Sequence, residues 1–162
     1  MASARPVRGG VTARLSVAER DCAARGVRLT ANRRDVLEAL LRAGGPLSAY
    51  ALLDAIRPVH PGAAPPTVYR ALDFLVEQGL AHKLERLNAY VACVDGTSHT
   101  HGHAAQFLIC RVCGGVTEMD DDAVVKAVDR AARQAGFAPT HTTVEVEGVC
   151  ARCRVGQDSD VL

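Results

Sequence analysis

Four of the six cysteines in this chain of 162 residues fall in two Cys-x-x-Cys pairs, Cys110-Arg-Val-Cys113 and Cys150-Ala-Arg-Cys153. A two-residue spacer lets both sulfurs of a tight turn face one ion. Four thiolates then form the closed tetrahedral set usual for structural Zn²⁺. Gly114 and Gly115 follow the first pair and give the backbone the freedom such a knuckle needs. The 36 residues between the pairs are more than an ordinary zinc ribbon holds, so an ion there clips together the two ends of a domain. The Arg- and Gly-rich N-terminal stretch lacks the apolar run of a secretory signal, so paired thiols point to metal before disulfide.

A second group of ligand types is spread along the chain: His82, Cys93, His103 and Glu118. Nitrogen, sulfur and carboxylate ligands from separate segments can complete a four-coordinate zinc site. Taken singly, each has a plainer reading: His82 an exposed strand residue, Cys93 a buried thiol, His103 a solvated loop residue, Glu118 a surface charge. His99 and His101 make the loop before Cys110 rich in histidine, which suggests metal affinity or simple solvation. His60 and His141 have no partner pattern, and Cys22 sits among alanines as a packed thiol.

The elements that must position these residues fall into two groups. Residues 1–14 read as a disordered arm carrying Arg5, Arg8 and Arg14. Ser16 and Glu19 have capping-box spacing, which predicts a helix over 17–25 closed by Gly26. Thr30 caps a second helix over 31–43, with Val36, Leu37, Leu40 and Leu41 on one face. Ser48 caps a third over 49–57, and Pro65-Pro66-Thr67 opens a fourth that Gly79 closes. Strand-like runs over 80–84 and 90–93 flank a turn at Leu87-Asn88-Ala89. Helices followed by a hairpin give the order of a winged helix. The second group reads strand (106–110), strand (115–119), helix (122–135), strand (140–147), an α+β order. The expected division is an arm at 1–14, a winged-helix domain at 15–87, a hinge at 88–98, a second domain at 99–155 and a tail at 156–162.

The helix after Pro65-Pro66 carries Thr67, Tyr69 and Arg70 in its first turns. In a helix-turn-helix the N-terminal residues of the second helix meet the bases. Thr67 can reach a phosphate, Tyr69 a phosphate or a thymine methyl, and Arg70 a guanine edge. Arg28 and Arg33, near the start of the second helix, can contact the DNA backbone. Charge favours this reading. Residues 1–86 carry a balance of +5 and residues 87–162 one of −4, so the first half is the one that meets a polyanion.

The run Arg28-Leu29-Thr30-x-x-Arg33 is followed by Ser48-Ala49-Tyr50-x-Leu52-Leu53-Asp54. Next comes Pro65-Pro66-Thr67-Val68-Tyr69-Arg70-Ala71-Leu72-Asp73-Phe74-Leu75, then Gly79-Leu80-x-His82-Lys83. Together with both knuckles, these runs resemble the ferric uptake regulator family, most nearly its zinc uptake branch, over roughly residues 15–155. The resemblance implies a winged-helix DNA-binding domain joined to an α/β dimerisation domain. It also implies a homodimeric repressor that binds palindromic operators when its metal is bound; the globular composition, without a secretory signal or membrane helix, separately argues for a soluble cytoplasmic protein. It assigns Cys110, Cys113, Cys150 and Cys153 to a structural zinc. It assigns His82, Cys93, His103 and Glu118 to a regulatory one, giving two Zn²⁺ per subunit and control of zinc-uptake genes. Iron regulators of the family carry a His-His-Asp-His-type run near the first knuckle. Here the stretch is His103-Ala104-Ala105-Gln106-Phe107, which lacks the Asp and the closing His. A soft thiolate such as Cys93 also favours Zn²⁺ over harder ions. A regulator of the same fold sensing iron, manganese or peroxide is the alternative. A zinc enzyme needs an open coordination position, and both four-ligand sets are full. No stretch of the chain is long and apolar enough for a membrane helix.

Overall fold

The computed structural model describes residues 10–93 and 105–157, which fall into two compact units. In the first, helices α1 (Val11–Ala24), α2 (Ala31–Ala43), α3 (Ala49–Ile56) and α4 (Pro65–Glu77) precede strands β1 (Ala81–Leu84) and β2 (Ala89–Ala92). α2 packs on α1, α3 and α4. Its apolar stripe lies as the periodicity predicts: Val36, Leu37 and Leu40 are buried, and Leu41 packs at the edge of the same core. Leu52, Leu53 and Ile56 of α3 and Val68, Leu72 and Leu75 of α4 complete it.

Caps explain part of where these helices begin and end; Thr30 stands at the N-cap of α2 as expected, but its side chain makes no cap hydrogen bond. The Ser48 hydroxyl accepts the Ala51 N–H at 3.2 Å, and Pro65 and Pro66 open α4 where no helical N–H partner is needed. Gly44 ends α2 in a left-handed conformation. β1 and β2 form an antiparallel wing in which His82 lies opposite Val91, and the turn between them holds Asn88 at φ 45°. Leu47 adds a bridge to Tyr90, which ties the wing to the segment before α3.

Three expectations need correction. Helix α1 begins at Val11, with Gly10 as its unassisted cap, so residues 11–14 belong to the helix and not to an arm. Ser16 therefore sits inside the helix, where its hydroxyl donates to the Thr12 carbonyl at 3.1 Å and caps nothing. β2 lies within the expected hinge at 88–98, because its pairing with β1 keeps it in the first unit. A helix that the sequence reading does not contain, α6 (Ala151–Gln157), follows Cys150 and runs past the expected boundary at 155.

The second unit is a three-stranded sheet in the order β4-β3-β5, with β3 at Ala105–Cys110, β4 at Val116–Met119 and β5 at Thr143–Gly148. β3 pairs antiparallel with β4 and parallel with β5. α5 (Asp122–Gln134) is the crossover that a parallel pairing requires, and the Asp121 carboxylate caps it through the Ala123 N–H at 2.8 Å. No residue of α5 is buried, and Val128, Phe137 and Val146 are exposed. No helix among the described residues is long and apolar enough to cross a membrane.

Candidate metal centres and nucleic-acid interface

The parallel register sets the first centre. Pairing of Cys110 with Gly148 brings the end of β3 beside the end of β5, so each Cys-x-x-Cys turn leaves the sheet next to the other. The first turn is closed by the Gly114 N–H on the Cys110 carbonyl and the Cys110 N–H on the Gly115 carbonyl, both at 2.9 Å. Gly114 has φ +69°, and a Cβ on Gly115 would stand 3.3 Å from the Cys113 Sγ, so the glycines expected at these places fill a conformational and a steric need. The second turn runs into α6 through N–H groups of Cys153 and Arg154 on the Cys150 carbonyl, both at 3.0 Å.

The four sulfurs lie within 4.8 Å of one another, and those of Cys113 and Cys150 are 3.9 Å apart. A tetrahedral zinc with Zn–S bonds of about 2.3 Å requires sulfurs about 3.8 Å apart, so the donor set fits that ion. All four are free thiols, with no disulfide among them. Backbone N–H groups of Cys150, Cys113 and Val112 pull the Cys110 thiol down to about 6, and the Cys150 N–H reaches its sulfur at 3.3 Å. Cys150 is lowered mainly by the Cys153 N–H. A hydrogen bond with the Cys150 sulfur pushes the Cys153 thiol up to about 12. The cluster therefore favours a thiolate at Cys110 and a proton at Cys153, and a divalent cation would ionise the rest.

The second set is placed in part. Within the first unit, the wing pairing brings His82 on β1 and Cys93, just past β2, together with ligand atoms within 4.8 Å. His82 is half-buried and Cys93 buried. The Cys93 N–H donates to the Leu80 carbonyl at 3.0 Å, and Arg14 of α1 donates to the Cys93 carbonyl. Glu118 is half-buried on β4 of the second unit, opposite Phe107 in the register. His103, His99 and His101 lie outside the described residues, as do Arg5 and Arg8. His60 bonds Asp35 at 2.6 Å and His141 bonds Thr143 at 3.1 Å. Cys22 is fully buried, and burial pushes its thiol up.

α4 exposes the side chains expected to meet DNA. Tyr69 and Arg70 are exposed, and Thr67 is half-buried in the first turn. Val68, Ala71, Leu72 and Leu75 hold the opposite face in the core. Arg28 is exposed before α2. Arg33 is half-buried, with its guanidinium 3.7 Å from the centroid of the Phe74 ring. The contact with Phe74 is one that the sequence reading misses, since Phe74 enters it only within the run that carries the family resemblance.

The model of the ferric uptake regulator family matches residues 24–147. The chain is 47% identical to the zinc uptake regulation protein of Escherichia coli strain K12 over 141 residues, covering 86% of this chain and 80% of that protein. It is 30% identical to the peroxide operon regulator of Bacillus subtilis strain 168 over 128 residues, covering 79% and 85%. A solved zinc uptake regulator complexed with zinc and DNA superposes with a TM-score of 0.86 at 42% identity, covering 93% of this chain and 99% of that one.

Proposed function

This chain belongs to the ferric uptake regulator family, and on that premise we propose that it is a zinc-responsive transcriptional repressor. It binds a palindromic operator as a homodimer when its regulatory zinc site is filled, and so controls zinc-uptake genes in the cytoplasm. The observation that carries this reading is the His82–Cys93 pair. Its two ligand atoms are in reach of one ion, they lie at the wing of the unit that exposes Arg70, and one of them is a soft sulfur donor that favours zinc over harder ions. The higher identity to a zinc regulator than to a peroxide regulator supports the same choice.

Two Zn²⁺ per subunit serve different ends. Cys110, Cys113, Cys150 and Cys153 hold the structural ion, which clips β3 to β5. His82, Cys93, His103 and Glu118 hold the regulatory ion, which takes ligands from both units. An ion so held selects, among arrangements of the units, one in which the reading helices of a dimer match half-sites one DNA turn apart. Thr67, Tyr69 and Arg70 then enter the major groove and Arg28 meets a phosphate. The homodimer is supported by the unburied α5 and by β5 at the sheet edge with Val146 exposed, both in need of cover.

The test is binding of the purified protein to operator duplexes selected from a random-sequence pool, titrated against buffered free Zn²⁺, Fe²⁺ and Mn²⁺ with bound metal counted per chain. Zinc-dependent binding that saturates with two ions per chain is expected. Specific binding without zinc, or equal response to Fe²⁺ or Mn²⁺, would sink the reading.

A further inference from the structure

The sequence assigns Arg33 to the DNA backbone, but its surroundings give it another task. Its guanidinium carbon stands 3.7 Å from the Phe74 ring centroid, and its Nη1–H donates to the Arg28 carbonyl at 2.7 Å. Phe74 is 8% exposed and lies on α4 four residues after Arg70, one turn further along the helix. A planar guanidinium can lie flat on a ring while its in-plane N–H groups donate sideways, which a compact ammonium cannot do. Arg33 thus touches both the helix proposed to read bases and the segment proposed to hold a phosphate.

We propose that Arg33 is a positioning residue, a clamp that joins α4 through Phe74 to the Arg28 segment and fixes how both meet one duplex. The inference rests on the DNA-binding reading above. Its chemistry differs from that of a phosphate contact in a measurable way. A lost phosphate contact weakens all sequences alike and flattens the dependence on salt. A lost clamp misplaces the base-reading turn, so it weakens the operator selectively and leaves the number of phosphates neutralised unchanged.

The experiment uses the zinc-loaded full chain with Arg33→Ala, Arg33→Lys, Phe74→Leu, Phe74→Tyr and the double variant Arg33→Ala/Phe74→Leu. Operator and random-sequence duplexes are titrated at several salt concentrations, and melting temperatures are recorded. Arg33→Ala, Arg33→Lys and Phe74→Leu should each lose roughly tenfold in operator affinity, with random-duplex affinity and salt slope held. The double variant should bind no worse than either single one, and Phe74→Tyr, which keeps the ring, should bind as wild type. The inference is overturned if Arg33→Lys restores binding, if Phe74→Leu is harmless, or if Arg33→Ala lowers the salt slope by about 0.9 and weakens both duplexes equally. Melting tests the clamp without DNA: Arg33→Ala and Phe74→Leu should be less than additive, and strict additivity would overturn it. A wild-type protein that binds no operator with zinc would sink the proposed function instead, leaving the coupling in melting to be judged by itself.

Discussion

If the knuckles hold zinc as proposed, a proton and the ion compete for each sulfur, and they do so unequally. Cys110 is held down to about 6, so above that pH it is already a thiolate and yields no proton to an incoming ion. Cys153, held up to about 12, must give up a proton throughout the neutral range. Zinc affinity should therefore fall as pH falls, and fall more steeply below about pH 6, where Cys110 also becomes protonated. Apparent zinc affinity followed from pH 8 to pH 5 with a competing chelator checks this, and a slope that does not change near pH 6 would refute it. Cys110→Ser should lose the structural ion and much of the order of the second unit, read by metal per chain and by the loss of cooperative melting. Arg70→Ala should cost about 1–3 kcal/mol in operator binding, concentrated at one base position if Arg70 reads a guanine edge. Selection of binding sites by the variant locates that position. At this scale the knuckles were legible because spacing within each pair is local information. The Arg33–Phe74 contact was not, because two separate helices make it and neither periodicity marks it.

Among the elements, those with a chemical boundary were read well and those without one were not. Ser48 caps α3 as its type and place predict, and Ser48→Ala should cost about 1 kcal/mol, seen as a lower melting temperature of the first unit with DNA-contact residues intact. Asn88 and Gly44 likewise take the left-handed conformations their residue types favour. α1 was misplaced because Gly10 offers no side chain to mark its start, while Ser16 and Glu19 imitate a capping box inside the helix. α6 escaped notice because it is short and is seeded by the second knuckle, through the Cys150 carbonyl, with no apolar stripe to mark it. The strands of the second unit were legible, but not their order. Nothing in β5 itself says that it pairs parallel to β3; the crossover through α5 and the meeting of the two knuckles decide that.

For the whole molecule, the property that decides the proposed function is the coupling between zinc and DNA. Cys93→Ser should leave a folded dimer with its structural zinc while greatly weakening zinc-dependent operator binding. By reciprocity, operator DNA should raise the zinc affinity of the wild type by the same factor that zinc raises DNA affinity. Paired titrations in each order measure both, and wild-type operator binding by Cys93→Ser at wild-type free zinc would show that the four-residue set is not the sensor. Val146→Glu, on the exposed face of the edge strand, should shift the protein toward monomer in sedimentation and weaken binding to a two-half-site operator more than to a single half-site. The division into a DNA-binding part and a metal-rich part was legible from charge and ligand types. The extent of the first part was not, because β2 is claimed by its pairing with β1 and not by composition. That division, with the parallel partner of β3 placed after the crossover helix, also sets an order in time. A ribosome completes the described helices and both wing strands of the first unit before it makes any described strand or helix of the second, so that unit can fold while synthesis continues. The second cannot, because β3 waits for β5 and Cys110 waits for Cys150 and Cys153. Each newborn chain thus completes the helix that exposes Arg70 well before its two Cys-x-x-Cys pairs can meet.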